Sequence, residues 1–207
     1  MYVVILHDEK TRLINLQDVD ILVFPPSQVP REQIKQAIEN SSRKSFRLER
    51  SANPDAAYKV LYYRFGSMKR PRGFFPGNKC KIDILIPGIL HLPTIPRSQI
   101  TRLDGLPVVP FSLLVLQKLQ AWDDHLQLRW KDPKRYAKAA IDARDLQNLL
   151  SLDKHVAPLK VSRPWDDPVL FSQEFQDLSK RRVRDFCNHF PEFQNDFESL
   201  GLLPTIV

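Results

Sequence analysis

The chain has 207 residues, of which 43% are hydrophobic and 27% charged, enough for one sizeable core or a core with a helical appendage, which excludes a chain dominated by disorder. A formal charge of +7 is compatible with polyanionic partners such as RNA, DNA, nucleotides or anionic lipid, without singling one out. Cys80 and Cys187 are the 2 cysteines and form no Cys-x-x-Cys pair, so neither a disulfide framework nor a zinc site is expected and a reducing compartment fits.

The opening MYVVILHDEK holds an apolar run too short for a signal peptide or a membrane span, and the longest later one, VPFSLLVLQKL, is broken by Lys118. The expectation is a soluble intracellular protein, cytoplasmic or nuclear, with no membrane partner. Strand-like runs follow at YVVIL, VDILVF, AYKVLYYRF and KIDILIP. Between the second and third, REQIKQAIENSS reads as a helix preceded by Pro30, with Ile34, Ala37 and Ile38 at helical spacing. Pro71, Pro76, Pro87, Pro93, Pro96, Pro107 and Pro110 mark a string of turns and extended linkers.

After Pro110 the character changes to helix. FSLLVLQKLQAWDDHL is apolar on most sides and reads as a buried helix. PKRYAKAAIDARDLQNLLSL reads as a second, with Ile141, Leu146, Leu149 and Leu150 on its apolar face. A third is expected from DDPVLFSQEF, with Asp167 as cap and Pro168 in the first turn, through KRRVRDFCNHF to Pro191. The predicted organisation is α+β: a short mixed sheet with flanking helices over 1–109, then a helical region over 110–207.

The chemistry concentrates in QDVDILVF and KCKIDILIP. Residues i and i+2 of a strand share a face, so Asp18 and Asp20 point the same way, and Asp83 sits in a second strand with the same Asp-Ile-Leu word. Clustered carboxylates repel unless a cation neutralises them. Mg²⁺ is the expected occupant, because it takes oxygen ligands and is commonly shared between carboxylates and nucleotide phosphates, and a pair of ions could serve an in-line displacement. The plainer reading is a solvated strand face with Asp83 paired to Lys79 or Lys81.

These words, in this order, resemble the nucleotidyltransferase-fold superfamily related to DNA polymerase beta, and more closely its small minimal and abortive-infection-toxin-like members and their fungal relatives. In that resemblance Asp18 and Asp20 of QDVDILV match the family's metal-binding pair and Asp83 of KIDILIPG matches the third carboxylate. LPVVPFSLLVLQKLQAWDDH is similar to the family's Leu-Leu-x-x-Lys-Leu-x-Ala helix, which places Lys118 on its lysine, and KAAIDARDLQNLL to the next helix with its paired aspartates, here Asp142 and Asp145. The likeness spans roughly residues 12 to 152. It implies a nucleotidyltransferase-like sheet, a Mg²⁺ site on Asp18, Asp20 and Asp83, and transfer of a nucleotide from a nucleoside triphosphate to RNA, a protein or a small molecule.

One departure stands out: the family's Gly-Ser or Gly-Gly pair before the Asp-x-Asp, where triphosphate approaches a helix N-terminus, has no counterpart in MYVVILHDEKTRL, and Gly66-Ser67 falls too late. Either the core lacks the family's first strand and helix, or this member has lost nucleotide transfer and is a binding or scaffold protein. Lys69, Arg70 and Arg72, with Phe74 and Phe75 nearby, form a basic loop that could hold nucleotide phosphates or an RNA backbone, against a solvated hairpin loop. Lys118 is read either as paired with a carboxylate, as reaching phosphate, or as snorkelling. Lys180, Arg181, Arg182 and Arg184 read as a solvated helix face, and Asp123 to His125 as surface or capping residues. A basic nucleic-acid-binding protein, whose +7 charge is the operative feature, is a further alternative.

Overall fold

The computed structural model describes residues 2–6, 18–24, 29–65 and 79–204. The chain divides into two compact units, Met1–Val109 and Pro110–Val207.

The first unit is built on a seven-stranded mixed sheet. Its strands are β1 (Tyr2–Leu6), β2 (Asp18–Phe24), β3 (Phe46–Arg50), β4 (Lys59–Arg64), β5 (Lys79–Leu85), β6 (Thr101–Leu103) and β7 (Leu106–Val108), in the order β3-β4-β5-β2-β1-β7-β6. β2 and β5 run parallel, as do β1 and β7, while the other neighbours are antiparallel. The segment between β2 and β5 supplies α1 (Arg31–Ser41) and the hairpin β3-β4.

Alternation in β5 explains which side is core. Cys80, Ile82 and Ile84 are buried, while Lys79, Lys81, Asp83 and Leu85 between them are half-buried. Ile82 and Ile84 join Val23 of β2, Leu61 of β4 and Ile34 of α1 in one apolar cluster, with Ile21, Val29, Ile38, Phe46, Leu48 and Ile86 packed around it. Ile34 and Ile38, four apart on α1, lay one helical stripe onto this side. Lys35 on the same helix is buried but satisfied: its Nζ donates to Glu32 Oε1 and to the carbonyl of Lys59, each at 2.7 Å. At the sheet edge the backbone N–H of Leu48 donates to Glu39 Oε1 at 2.9 Å, which covers an otherwise open donor of β3.

The second unit is helical: α2 (Phe111–Leu126), α3 (Pro133–Tyr136), α4 (Ala139–Leu150), α5 (Asp153–Ser162), α6 (Gln173–His189) and α7 (Gln194–Ser199). Its core gathers Leu113, Leu116, Leu119 and Trp122 of α2, Leu146 and Leu149 of α4, and Phe175, Val183 and Phe186 of α6, all nearly inaccessible. Trp122 meets Phe186 edge to face at 5.0 Å, and the indole N–H of the buried Trp165 donates to the carbonyl of Leu200 at 2.7 Å. Among the described residues no helix is long and apolar enough to cross a membrane.

Several expectations are corrected. The expected second helix is two, α3 and α4, and Ile141 is half exposed while Asp142 and Ala143 face inward. The third begins at Gln173, not Asp167: Ser172 caps it, its Oγ accepting from the N–H of Phe175, whereas Asp167 Oδ1 accepts from the N–H of Val169 in a preceding turn. The small mixed sheet and the helical second half are as expected, but β3, β6 and β7 are strands beyond the four runs read from the sequence, and α1 is the one α-helix described in the first unit.

Candidate functional site

The parallel register of β2 and β5 sets Asp18 beside Lys81 and Asp20 beside Asp83. Paired residues of neighbouring strands project to the same side, and i, i+2 positions do so within a strand, so Asp18, Asp20, Lys81 and Asp83 share one face of the sheet. It is the face opposite the apolar cluster of Val23, Ile82 and Ile84. The three sequence-predicted carboxylates are therefore brought together by backbone pairing alone.

A cation stands among them. The ammonium of Lys81 donates to Asp83 Oδ2 and lies 3.7 Å from Asp18 Oδ2. Burial works against the charge of Lys81, yet the hydrogen bond to Asp83 and the charges of Asp83, Asp18 and Asp20 outweigh it, and the amine is held above the ordinary lysine range. Below the triad, the thiol of Cys80 is pushed up by burial and then by the charge of Asp18. Among the described residues no group of three or more His, Cys, Asp or Glu side chains stands close enough together to hold a metal ion as placed. Asp18, Asp20 and Asp83 occupy adjacent register positions on one face, with the Lys81 ammonium as counter-charge to Asp18 and Asp83.

The same face continues across β4 and β3. Tyr62 pairs with Lys81, Arg47 with Tyr62, and Arg64 with Lys79, so one register level reads Arg47, Tyr62, Lys81, Asp18 across four strands. The Lys79 ammonium lies 4.1 Å from the centre of the Tyr62 ring and donates to Glu49 Oε2. Arg47, Glu49, Arg64 and Lys79 line an open depression of about 340 Å³.

Lys118, Asp142 and Asp145 belong to the helical unit. Lys118 Nζ donates to Asp145 Oδ2 at 3.0 Å, and His125 Nδ1 lies 2.6 Å from Asp142 Oδ2, so the two aspartates of α4 each meet a partner on α2. Asp123 corrects the expectation of a surface residue. It is buried, and its Oδ2 accepts from Arg181 Nη2 at 2.8 Å and Arg182 Nε at 3.0 Å. Arg182 is likewise buried, so the basic run on α6 is a structural ion pair on one side rather than a wholly solvated face. Lys69, Arg70, Arg72, Phe74, Phe75 and Gly66-Ser67 lie outside the described residues.

Comparison with protein-family models, with curated proteins and with solved structures finds no match to the chain.

Proposed function

We propose that the carboxylate face is a Mg²⁺-dependent nucleotide site of the nucleotidyltransferase type, which transfers a nucleotide from a nucleoside triphosphate to an acceptor on RNA, a protein or a small molecule. The observation that carries this reading is the β2-β5 register, which sets Asp20 against Asp83 with Asp18 one step along the same face. Asp18 and Asp20 hold the cation, and Asp83 serves as a further ligand or accepts the proton of the acceptor hydroxyl. Bound Mg²⁺ supplies positive charge to the triphosphate oxygens. Lys81 is the counter-charge of Asp18 and Asp83 in the absence of metal, and its flexible stem lets the ammonium turn toward phosphate when a divalent ion takes its place.

A second reading is favoured by the same lysine. If the Lys81 ammonium is the permanent counter-ion of Asp18 and Asp83, the face is a retired site on a binding or scaffold module. The two readings separate in a transfer assay with radiolabelled nucleoside triphosphates, Mg²⁺ and mixed acceptors. Label transfer that stops in Asp20→Asn and in Asp83→Asn supports the enzyme. Transfer that is absent, or indifferent to both substitutions, removes it.

A further inference from the structure

We propose that the β3-β4-β5 side of this sheet face is a separate docking surface for the phosphodiester backbone of a single-stranded nucleic acid, with Arg47, Arg64 and Lys79 as its phosphate contacts. This goes beyond the nucleotide site and does not depend on transfer.

The surface is arranged rather than merely basic. Lys79 is held by the Tyr62 ring beneath it and by Glu49, so its ammonium is fixed over the depression instead of sweeping through solvent. Arg47 and Arg64 are exposed and line the depression, Arg47 also feeling the charge of Glu39 on α1. The single carboxylate lining the depression, Glu49, is taken up by Lys79, which leaves two planar forks suited to bidentate contact with phosphate oxygens.

Shape decides between a small anion and a chain. The depression is open to solvent and its cations are spread over three strands. Arg47 on β3 and Lys79 on β5 are two strand spacings apart across the sheet, about 10 Å between backbones, so the cations form a row across three strands that successive phosphates of a nucleic-acid strand can follow. Moving on across the same register level, the cationic side gives way at Lys81 to the carboxylates, so a strand lying on the arginines runs toward the triad.

The test is fluorescence anisotropy of a labelled 12-nucleotide oligouridylate, a length within the roughly 4–16 nucleotides that single-strand-binding folds cover, with the full chain, without nucleotide or Mg²⁺, across a salt series. Binding is expected to weaken with salt at a logarithmic slope of about −2, the value for three phosphate contacts on a single strand. Arg47→Glu and Arg64→Glu, both exposed and checked for fold by circular dichroism, are each expected to weaken it at least about tenfold and to flatten the slope. The proposal is overturned by absent binding at low salt, by affinity unchanged in both variants, or by polyglutamate displacing the probe as well as unlabelled oligouridylate does. Because the assay contains neither metal nor triphosphate, its failure leaves the nucleotide reading standing, and failure of that reading leaves this one.

Discussion

Replacing Lys81 with methionine removes the ammonium that pairs with Asp18 and Asp83 while keeping the length of the side chain. At 3.7 Å the Lys81–Asp18 attraction is about 1 kcal/mol in the dielectric of water and about 4 kcal/mol at an effective dielectric near 20. The side chains of Asp18, Lys81 and Asp83 are 54%, 36% and 37% exposed, so solvent screens most of this. Exposed pairs typically contribute about 0.2–1 kcal/mol, and the two pairs together put the expected loss of folding stability near 1 kcal/mol. The effect on a divalent ion has the opposite sign. An ammonium about 4 Å from a doubly charged ion opposes it by about 2 kcal/mol even in water, so its removal should tighten Mg²⁺ binding roughly thirtyfold. Urea unfolding with and without Mg²⁺, paired with calorimetric Mg²⁺ titration, reads both. Lys81→Met should be less stable than the wild type without metal and recover with it. An unchanged Mg²⁺ isotherm would refute the idea that Lys81 and a metal compete for the same carboxylates.

Three further outcomes follow from the structure. Asp123→Asn leaves the buried Arg182 with only its longer, 3.8 Å contact to the exposed Asp124 and should cost about 3 kcal/mol in urea unfolding, with part of the loss recovered when Arg182→Met is added. The hydrogen bond from the N–H of Leu48 holds the Glu39 carboxyl below its ordinary value. A depressed native value gives stability that is present above the unfolded pKa of about 4.3 and lost as pH falls through the native one, so Glu39→Gln should show a shallower acid limb than the wild type in a pH series of unfolding. Burial, then the charge of Glu198, pushes the Cys187 thiol up to about 11. Its native alkylation near pH 8 should therefore be at least about a hundredfold slower than in the urea-unfolded chain, followed by mass spectrometry; equal rates would contradict its burial.

The sequence is most legible where a local period decides the outcome. α1 and α2 are read from helical spacing behind Pro30 and Pro110, and the shared face of Asp18 and Asp20 follows from strand alternation. The same alternation places Lys81 beside Asp83, two residues on, so the internal counter-ion was in view as the plainer alternative. What local reasoning could not supply is register: that β5 runs parallel to β2, with Asp20 level with Asp83, is a long-range pairing that no short word encodes.

Other elements were hidden by composition. β3, FRLER, carries more charge than a strand signal allows, and Pro158 masks α5. The β6-β7 hairpin was lost among prolines although Asp104-Gly105, at φ 49° and 81°, is a two-residue turn with the residues such turns require. Arg182 lies three residues from Ser179, four from Phe186 and seven from Phe175, which puts it on the buried stripe of α6, a spacing masked by the other cations of the same run.

The most direct test of the central claim is calorimetric titration of each of the four ribonucleoside triphosphates, with and without Mg²⁺, into the wild type and Asp20→Asn. A Mg²⁺-dependent nucleotide site on the β2-β5 face predicts an isotherm with the wild type that disappears when either the metal or the Asp20 carboxylate is withdrawn. Heats absent for all four nucleotides, or equal in Asp20→Asn, would contradict it.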